Sequence, residues 1–198
     1  FFKDGKLVCG LSPMMPGVPP EVGAFWNSYV LVEDADDTAA KAEAAGGKVT
    51  MPPMDVMDQG RMAMLADPSG AALGLWQPGS HEGADLFNEP GSLTWNELQT
   101  RDLETVLPFY ETVFGWEWAD GPDDGYKVAN LPGKPGEDKS NAGAMSMPPG
   151  VPDEAPNLWM VYFAVSDCDT SMAAAQGLGA QVFLPAMQMG PGRFGGLI

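Results

Sequence analysis

Basic residues are scarce in this chain. Ten Lys and Arg stand against 27 Asp and Glu, a formal net charge of −17. That balance offers no footprint for phosphate backbones and is repelled by an anionic membrane surface, so nucleic acid and lipid partners are not expected. Histidine is scarcer still, with His81 the single copy. The two cysteines, Cys9 and Cys168, are far apart and outside any CxxC, a pattern of reduced thiols rather than a disulfide framework. No apolar run approaches the roughly 20 residues that span a bilayer. The start, Phe1 to Gly10, lacks the ordered charged, apolar and small-residue regions of a signal peptide. These absences predict a soluble, cytoplasmic protein. The 198 residues are 44% hydrophobic, with 25 Gly and 19 Pro, enough for one ordinary domain or two small ones with a core.

A long internal repeat decides the architecture. Trp26 to Asp36 lies over Trp159 to Asp169, matching at Trp, Tyr, Val and both Asp, an offset of 133. The same offset brings Gly10 onto Gly143, Met14 onto Met147, Gly46 onto Gly179, Val49 onto Val182, Pro52 onto Pro185 and Met54 onto Met187. Arg61 meets Arg193 after a one-residue deletion. The period is too long for a solenoid unit and reads as a duplicated domain. Within each copy, Trp26–Val32 is a run of strand formers. Asp34 or Asp36 then caps a helix over Thr38–Ala45, closed by Gly46-Gly47. Strands follow at 48–51, 61–65 and, after the turn Asp67-Pro-Ser-Gly70, at 71–76, giving βαβββ. A further unit is legible as a strand at 93–100, a helix from the Asp102 cap to Phe114 with Pro108 expected to kink it, and strands at 125–131 and 141–147. The expected division is a domain at 1–79, a Gly, Pro and acid-rich linker at 80–91, and a domain at 92–198. The first copy lacks a counterpart to 95–118, and the second stops short of a last strand. The sequence therefore reads as part of a longer two-domain protein.

Trp95-Asn-Glu-Leu-Gln-Thr-Arg-Asp102, Phe109-Tyr110, Val113-Phe-Gly-Trp116, Trp159-x-x-Tyr-x-x-Val-x-Asp167 and Asp67-Pro-Ser-Gly70 together resemble the vicinal oxygen chelate superfamily. This group contains the glyoxalases, bleomycin-resistance proteins and extradiol dioxygenases, and the likeness is greatest to its two-domain actinobacterial type. The resemblance implies an α+β fold of tandem glyoxalase-like domains, each of paired βαβββ units forming a curved sheet around a cup. In the family, metal and substrate sit in the cup.

Metal-dependent members of the family take His, Glu or Gln ligands from the first, fourth, fifth and last strands of a domain. Here the resemblance places those positions on Trp95, near Asn27 and Met160, and near Gly74, none of them a good ligand. The strand at 93–100 offers Glu97 and the weaker Gln99, 158–165 offers Tyr162, and 71–76 offers nothing. A catalytic divalent metal wants about three protein ligands, so no metal and no cofactor are expected. His81 is expected to face solvent in the linker.

Gly190-Pro-Gly-Arg-Phe-Gly195 matches GxGxxG but precedes a strand, so it reads as a turn rather than a dinucleotide cradle. Cys168 opens a helix without a His to act as base and reads as structural. The acidic runs 33–37 and 120–124 lack EF-hand spacing and read as caps and turns. Strand alternation puts Trp95, Glu97 and Gln99 on one face, as it does Asn27 and Tyr29, and Met160 and Tyr162. With Met145 and Met147 these nine residues are the expected ligand-binding set. Filling a core is the other reading of the Trp and Met residues. Glu97 is the exception, because a carboxylate in an apolar cup must be paired, protonated or useful. It is the candidate acid/base or polar anchor. The expected function is metal-independent binding or sequestration of a small organic molecule. The alternatives are a lyase, isomerase or oxygenase of the same superfamily whose ligands are completed by strands not seen here, and an interaction protein with collapsed cups. Homo-oligomerisation is left open.

Overall fold

The computed structural model describes residues 1–14, 23–134, 139–190 and 192–198. Pro191, inside the GxGxxG match, lies outside the described residues. A small hairpin of β1 (Phe2–Lys3) and β2 (Lys6–Leu7) precedes a βαβββ unit of β3 (Tyr29–Leu31), α1 (Ala35–Ala44), β4 (Lys48–Val56), β5 (Gly60–Ala66) and β6 (Ala72–Pro78). A second unit comprises β7 (Leu93–Thr100), α2 (Leu103–Phe114), β8 (Glu117–Asp120), β9 (Lys127–Asn130) and β10 (Ser140–Ser146). It is followed by β11 (Leu158–Phe163), α3 (Cys168–Gly177), β12 (Val182–Met189) and β13 (Gly192–Leu197). This is the expected α+β architecture. The sheets run in the orders β3-β6-β5-β4 and β11-β7-β10-β9-β8, with β12 and β13 forming a hairpin. In both large sheets the unit's first strand is parallel to its last, and β11 joins β7 antiparallel.

The repeat is visible in the bonds that start its helices. Asp34 accepts from the Asp37 N–H at 2.8 Å, and Asp167 accepts from the Thr170 N–H at 2.7 Å. Each satisfies a backbone donor that the first helical turn leaves unpaired. Behind each cap an arginine from a distal strand grips a carboxylate with two nitrogens. Arg61 holds Asp36 at 2.6 and 2.9 Å, and Arg193 holds Asp169 at 2.6 and 2.8 Å. The fork geometry recurs although both pairs face solvent.

Several local expectations are corrected. Strand β3 begins at Tyr29 rather than Trp26, because among the described residues it has a ladder partner only in β6, and Trp26 is 52% exposed. Helix α1 begins at Ala35, three residues early, and β4 runs on to Val56. Helix α2 passes through Pro108 unbroken and ends on Gly115, whose φ of 69° suits a residue without Cβ. Its Asp102 cap makes no side-chain bond. Strand β8, not expected from the sequence, ends at Asp120, the rest of the acidic run 120–124 forms the expected turn into β9, and Lys127 of β9 pairs with Asp120 at 2.7 Å. His81 is only partly open to solvent. It is partly buried against the Trp76 ring, 5.5 Å between centroids, and its carbonyl accepts from Trp76 Nε1 at 2.9 Å.

One hydrophobic core joins the two units. Ala39 and Ala42 of α1 and Leu65, Leu73 and Leu75 meet Val106, Phe109 and Tyr110 of α2, with Leu98, Ala144 and Trp159 behind them. Inside this core lies a polar chain. Tyr110, fully buried, donates to Asp67 Oδ2 at 2.7 Å and accepts from Trp159 Nε1 at 3.0 Å. Burial and the adjacent Asp67 carboxylate push the Tyr110 hydroxyl well above the ordinary tyrosine range. Among the described residues no helix is long and apolar enough to cross a membrane.

Candidate functional site

Because Leu98, Ala142, Ala144 and Trp159 point into the core, their neighbours on the same strands must point away from it. Pairing brings the outward residues into rows. Glu97 lies between Gly143 of β10 and Met160 of β11, Gln99 lies between Met145 and Leu158, and Trp95 faces Tyr162. Six of the nine expected residues, Trp95, Glu97, Gln99, Met145, Met160 and Tyr162, therefore share one face of the five-stranded sheet. Met147 lies just past the end of β10, where its N–H donates to the Thr100 carbonyl at 2.8 Å. Tyr29 belongs to the other sheet, whereas Asn27, expected on the same strand, lies in the irregular segment before β3. Tyr29 packs its ring over Gly74, and Asn27 Nδ2 lies 3.6 Å from Met64 Sδ.

Glu97 is 7% exposed and forms the centre of a hydrogen-bond network. Its Oε1 accepts from Gln99 Nε2 at 2.9 Å and from the Tyr162 hydroxyl at 3.0 Å. Its Oε2 accepts from the Tyr126 hydroxyl at 2.9 Å. Trp95 Nε1 donates in turn to Tyr126 Oη at 2.8 Å. Burial, reinforced by the Glu97 carboxylate, raises both tyrosines above their ordinary range, so they are protonated donors at neutral pH. A carboxylate has about four lone-pair sites, so among the described residues one on Oε2 is left for an incoming group. Tyr162 also meets Phe194 of β13 edge to face, 6.2 Å between centroids, which extends the aromatic wall.

Tyr126 is the residue that sequence reasoning missed. It precedes β9 by one position, and alternation from Val128, which pairs with Gly143, puts it on the Glu97 face. Its partner was the available signal. A Cβ on Gly143 would sit 1.8 Å from Tyr126 Oη and 2.8 Å from Trp95 Nε1, so the missing side chain is the space the tyrosine occupies. A glycine inside a strand marks such a close approach.

The donor set does not fit a divalent metal. Three groups occupy the Glu97 oxygens, its lateral neighbours are Gly143 and Met160, and Met145 and Met160 offer only thioethers. Among the described residues no three His, Cys, Asp or Glu side chains converge on a point that could hold an ion. Cys9 and Cys168 are unpaired and partly buried. At the N-terminal end of α2 a separate open cleft of about 690 Å³ is lined by Arg101, Glu104, Asp120, Asp123 and Lys127.

The chain belongs to the glyoxalase, bleomycin resistance protein and dioxygenase superfamily, whose model matches residues 3–75. It is 43% identical to CFP32 of Mycobacterium tuberculosis, named provisionally as a glyoxylase, over 96% of this chain and 72% of that protein. The anthracycline biosynthesis protein DauV of Streptomyces sp. strain C5 is 38% identical over 92% of this chain and 68% of its own length. Among solved structures, the Mn(II)-bound glyoxalase of Novosphingobium aromaticivorans aligns with a TM-score of 0.52 at 16% identity, covering 84% of this chain and 60% of that one. The 2,2',3-trihydroxybiphenyl 1,2-dioxygenase of Sphingomonas wittichii aligns at 0.50 and 16%, over 86% and 70%. These last two likenesses are of fold, a mixed α+β arrangement of curved sheets.

Proposed function

We propose that the protein binds or sequesters a small organic molecule, without a metal, on the Glu97 face of a second domain spanning 92–198, separated from a first domain at 1–79 by a linker at 80–91. The observation that carries this reading is the Glu97 carboxylate itself. It is buried at the middle of an aromatic and Met-lined surface, held in place by three donors, with one acceptor site unfilled among the described residues. Trp95, Tyr126, Tyr162, Met145 and Met160 supply apolar contact, and the free lone pair supplies orientation, the division of labour found in ligand pockets. The name of the Streptomyces relative supports a small organic molecule as the class of ligand.

Glu97→Gln tests this. The amide nitrogen can replace Oε1, because Tyr162 can accept as well as donate and Gln99 can turn its amide oxygen inward, so folding stability should change little. Any ligand that donates to Oε2 should weaken by about 1.5 to 3 kcal/mol, the range for a hydrogen bond to a charged group. The measurement is a calorimetric or NMR screen of small organic molecules with chelator present, run on both proteins. A binder with equal affinity for both would remove Glu97 from the site.

A further inference from the structure

The partners of Glu97 are neutral, and they leave its charge uncancelled. Trp95 Nε1 can only donate, so Tyr126 Oη accepts there, and it turns its own proton to Glu97 Oε2. Gln99 Nε2 likewise only donates, to Oε1. Donors therefore meet both oxygens, the pattern of an ionised carboxylate. Among the described residues no Lys, Arg or His forms an ion pair with it, the ion pairs being those of Arg61, Lys127 and Arg193. Hydrogen bonds orient and stabilise such a charge, but in a low-dielectric setting its field persists.

The polarity of the surrounding groups narrows what can occupy the site. With the Tyr126 and Tyr162 protons spent on Glu97, the polar atoms that remain are acceptors, apart from the second N–H of Gln99. A carbonyl or carboxylate ligand would find a negative charge and almost no donors. The rings of Trp95, Tyr126 and Tyr162 are tethered around the carboxylate by their polar atoms, and aromatic rings attract organic cations when a site is desolvated. The net charge of −17 on these 198 residues draws cations toward it.

We infer that this site selects an organic ammonium cation, its charge set against Glu97 and its apolar body against the tyrosine and tryptophan rings. The inference rests on the reading of the Glu97 face as a ligand site and adds the charge of the occupant. The test uses two probes of the same shape, (3-hydroxyphenyl)trimethylammonium and its neutral carbon analogue 3-tert-butylphenol, titrated calorimetrically into the full chain with chelator present. The wild type should bind the cation about tenfold or more tightly than the neutral probe, a difference of about 1.4 kcal/mol that is within reach of a desolvated cation–π site. Glu97→Gln should abolish most of that preference, whereas Tyr162→Phe, which keeps the charge, should preserve its direction. Circular dichroism and melting of both variants separate a lost preference from a lost fold. Equal or tighter binding of 3-tert-butylphenol that is lost in the Glu97 variant would overturn the cation while leaving the site standing. A cation preference that survives Glu97→Gln would assign it to the general acidity of the chain and overturn the inference, and so would binding of neither probe.

Discussion

Replacing Asp67 with Ala is expected to destabilise the fold by about 3 to 5 kcal/mol, because it leaves several buried donors without their acceptor at about 1 to 3 kcal/mol each. Asp67 is 3% exposed and accepts four hydrogen bonds. Ser69 N–H, Ser69 Oγ–H and Ala71 N–H reach Oδ1 at 2.8, 2.7 and 3.0 Å, and Tyr110 reaches Oδ2 at 2.7 Å. The first three hold the Asp67-Pro-Ser-Gly70 turn. The fourth ties that turn, in the first βαβββ unit, to α2 and through Trp159 to β11. Asn157 adds a second tie, donating to the Ser69 carbonyl at 2.8 Å. Tyr110→Phe should cost less, about 1 to 3 kcal/mol, since it leaves Asp67 Oδ2 and Trp159 Nε1 without that partner but spares the turn. The double variant should be well short of additive, because both changes break the same bond. Urea unfolding of the four proteins measures this. Full additivity would mean that the buried chain does not couple the units.

Gly143→Ala is expected to dismantle the Glu97 network. The added methyl would stand 1.8 Å from Tyr126 Oη and 2.5 Å from its Cζ, closer than any real contact, so the ring must leave. Its departure strips Glu97 Oε2 of its donor and Trp95 Nε1 of its acceptor. Overpacking of this kind costs about 1 to 3 kcal/mol in stability. The larger consequence is for ligand affinity, where the loss should match or exceed that of Glu97→Gln. Tyr126→Phe combined with Gly143→Ala cannot restore binding, because the phenyl ring meets the same methyl. Wild-type affinity in Gly143→Ala would show that Tyr126 does not shape the site.

Strand alternation and the internal repeat were enough to find the site's strands, because alternation depends on local spacing and the repeat on matching two stretches of the same sequence. Leu93–Thr100 is legible to the residue since it has hydrogen-bonded neighbours on both sides, β10 and β11, that fix its length. Tyr29–Leu31 is not, because its ladder has a partner in β6 alone and the flanking aromatics, which read as strand formers, stay exposed. Glu97, Gln99 and Tyr162 can be placed on a common face by counting in twos. Which of their polar atoms meet cannot, because that depends on register between strands 29 and 65 residues apart. Tyr126 falls on the far side of that boundary, since only the β9–β10 pairing reveals the glycine beneath it. The Asp67–Tyr110–Trp159 chain is illegible for the same reason. Each residue has a satisfactory local role as a turn former, a helix core position or a repeat marker, and their union is purely tertiary.

The most direct test of a metal-free ligand site on the Glu97 face is to locate a bound ligand. With the methionine methyls isotopically labelled and the protein held in chelator, (3-hydroxyphenyl)trimethylammonium should move the Met145 and Met160 resonances and the Trp95 indole N–H in a saturable way, leaving Met54 and Met57 of the other sheet and its turn unchanged. Shifts confined to the indole and methyl groups of that face would place the ligand beside Glu97. Shifts only among residues of the acidic cleft around Arg101 and Asp123, or shifts that appear only after a divalent metal is added, would contradict the account.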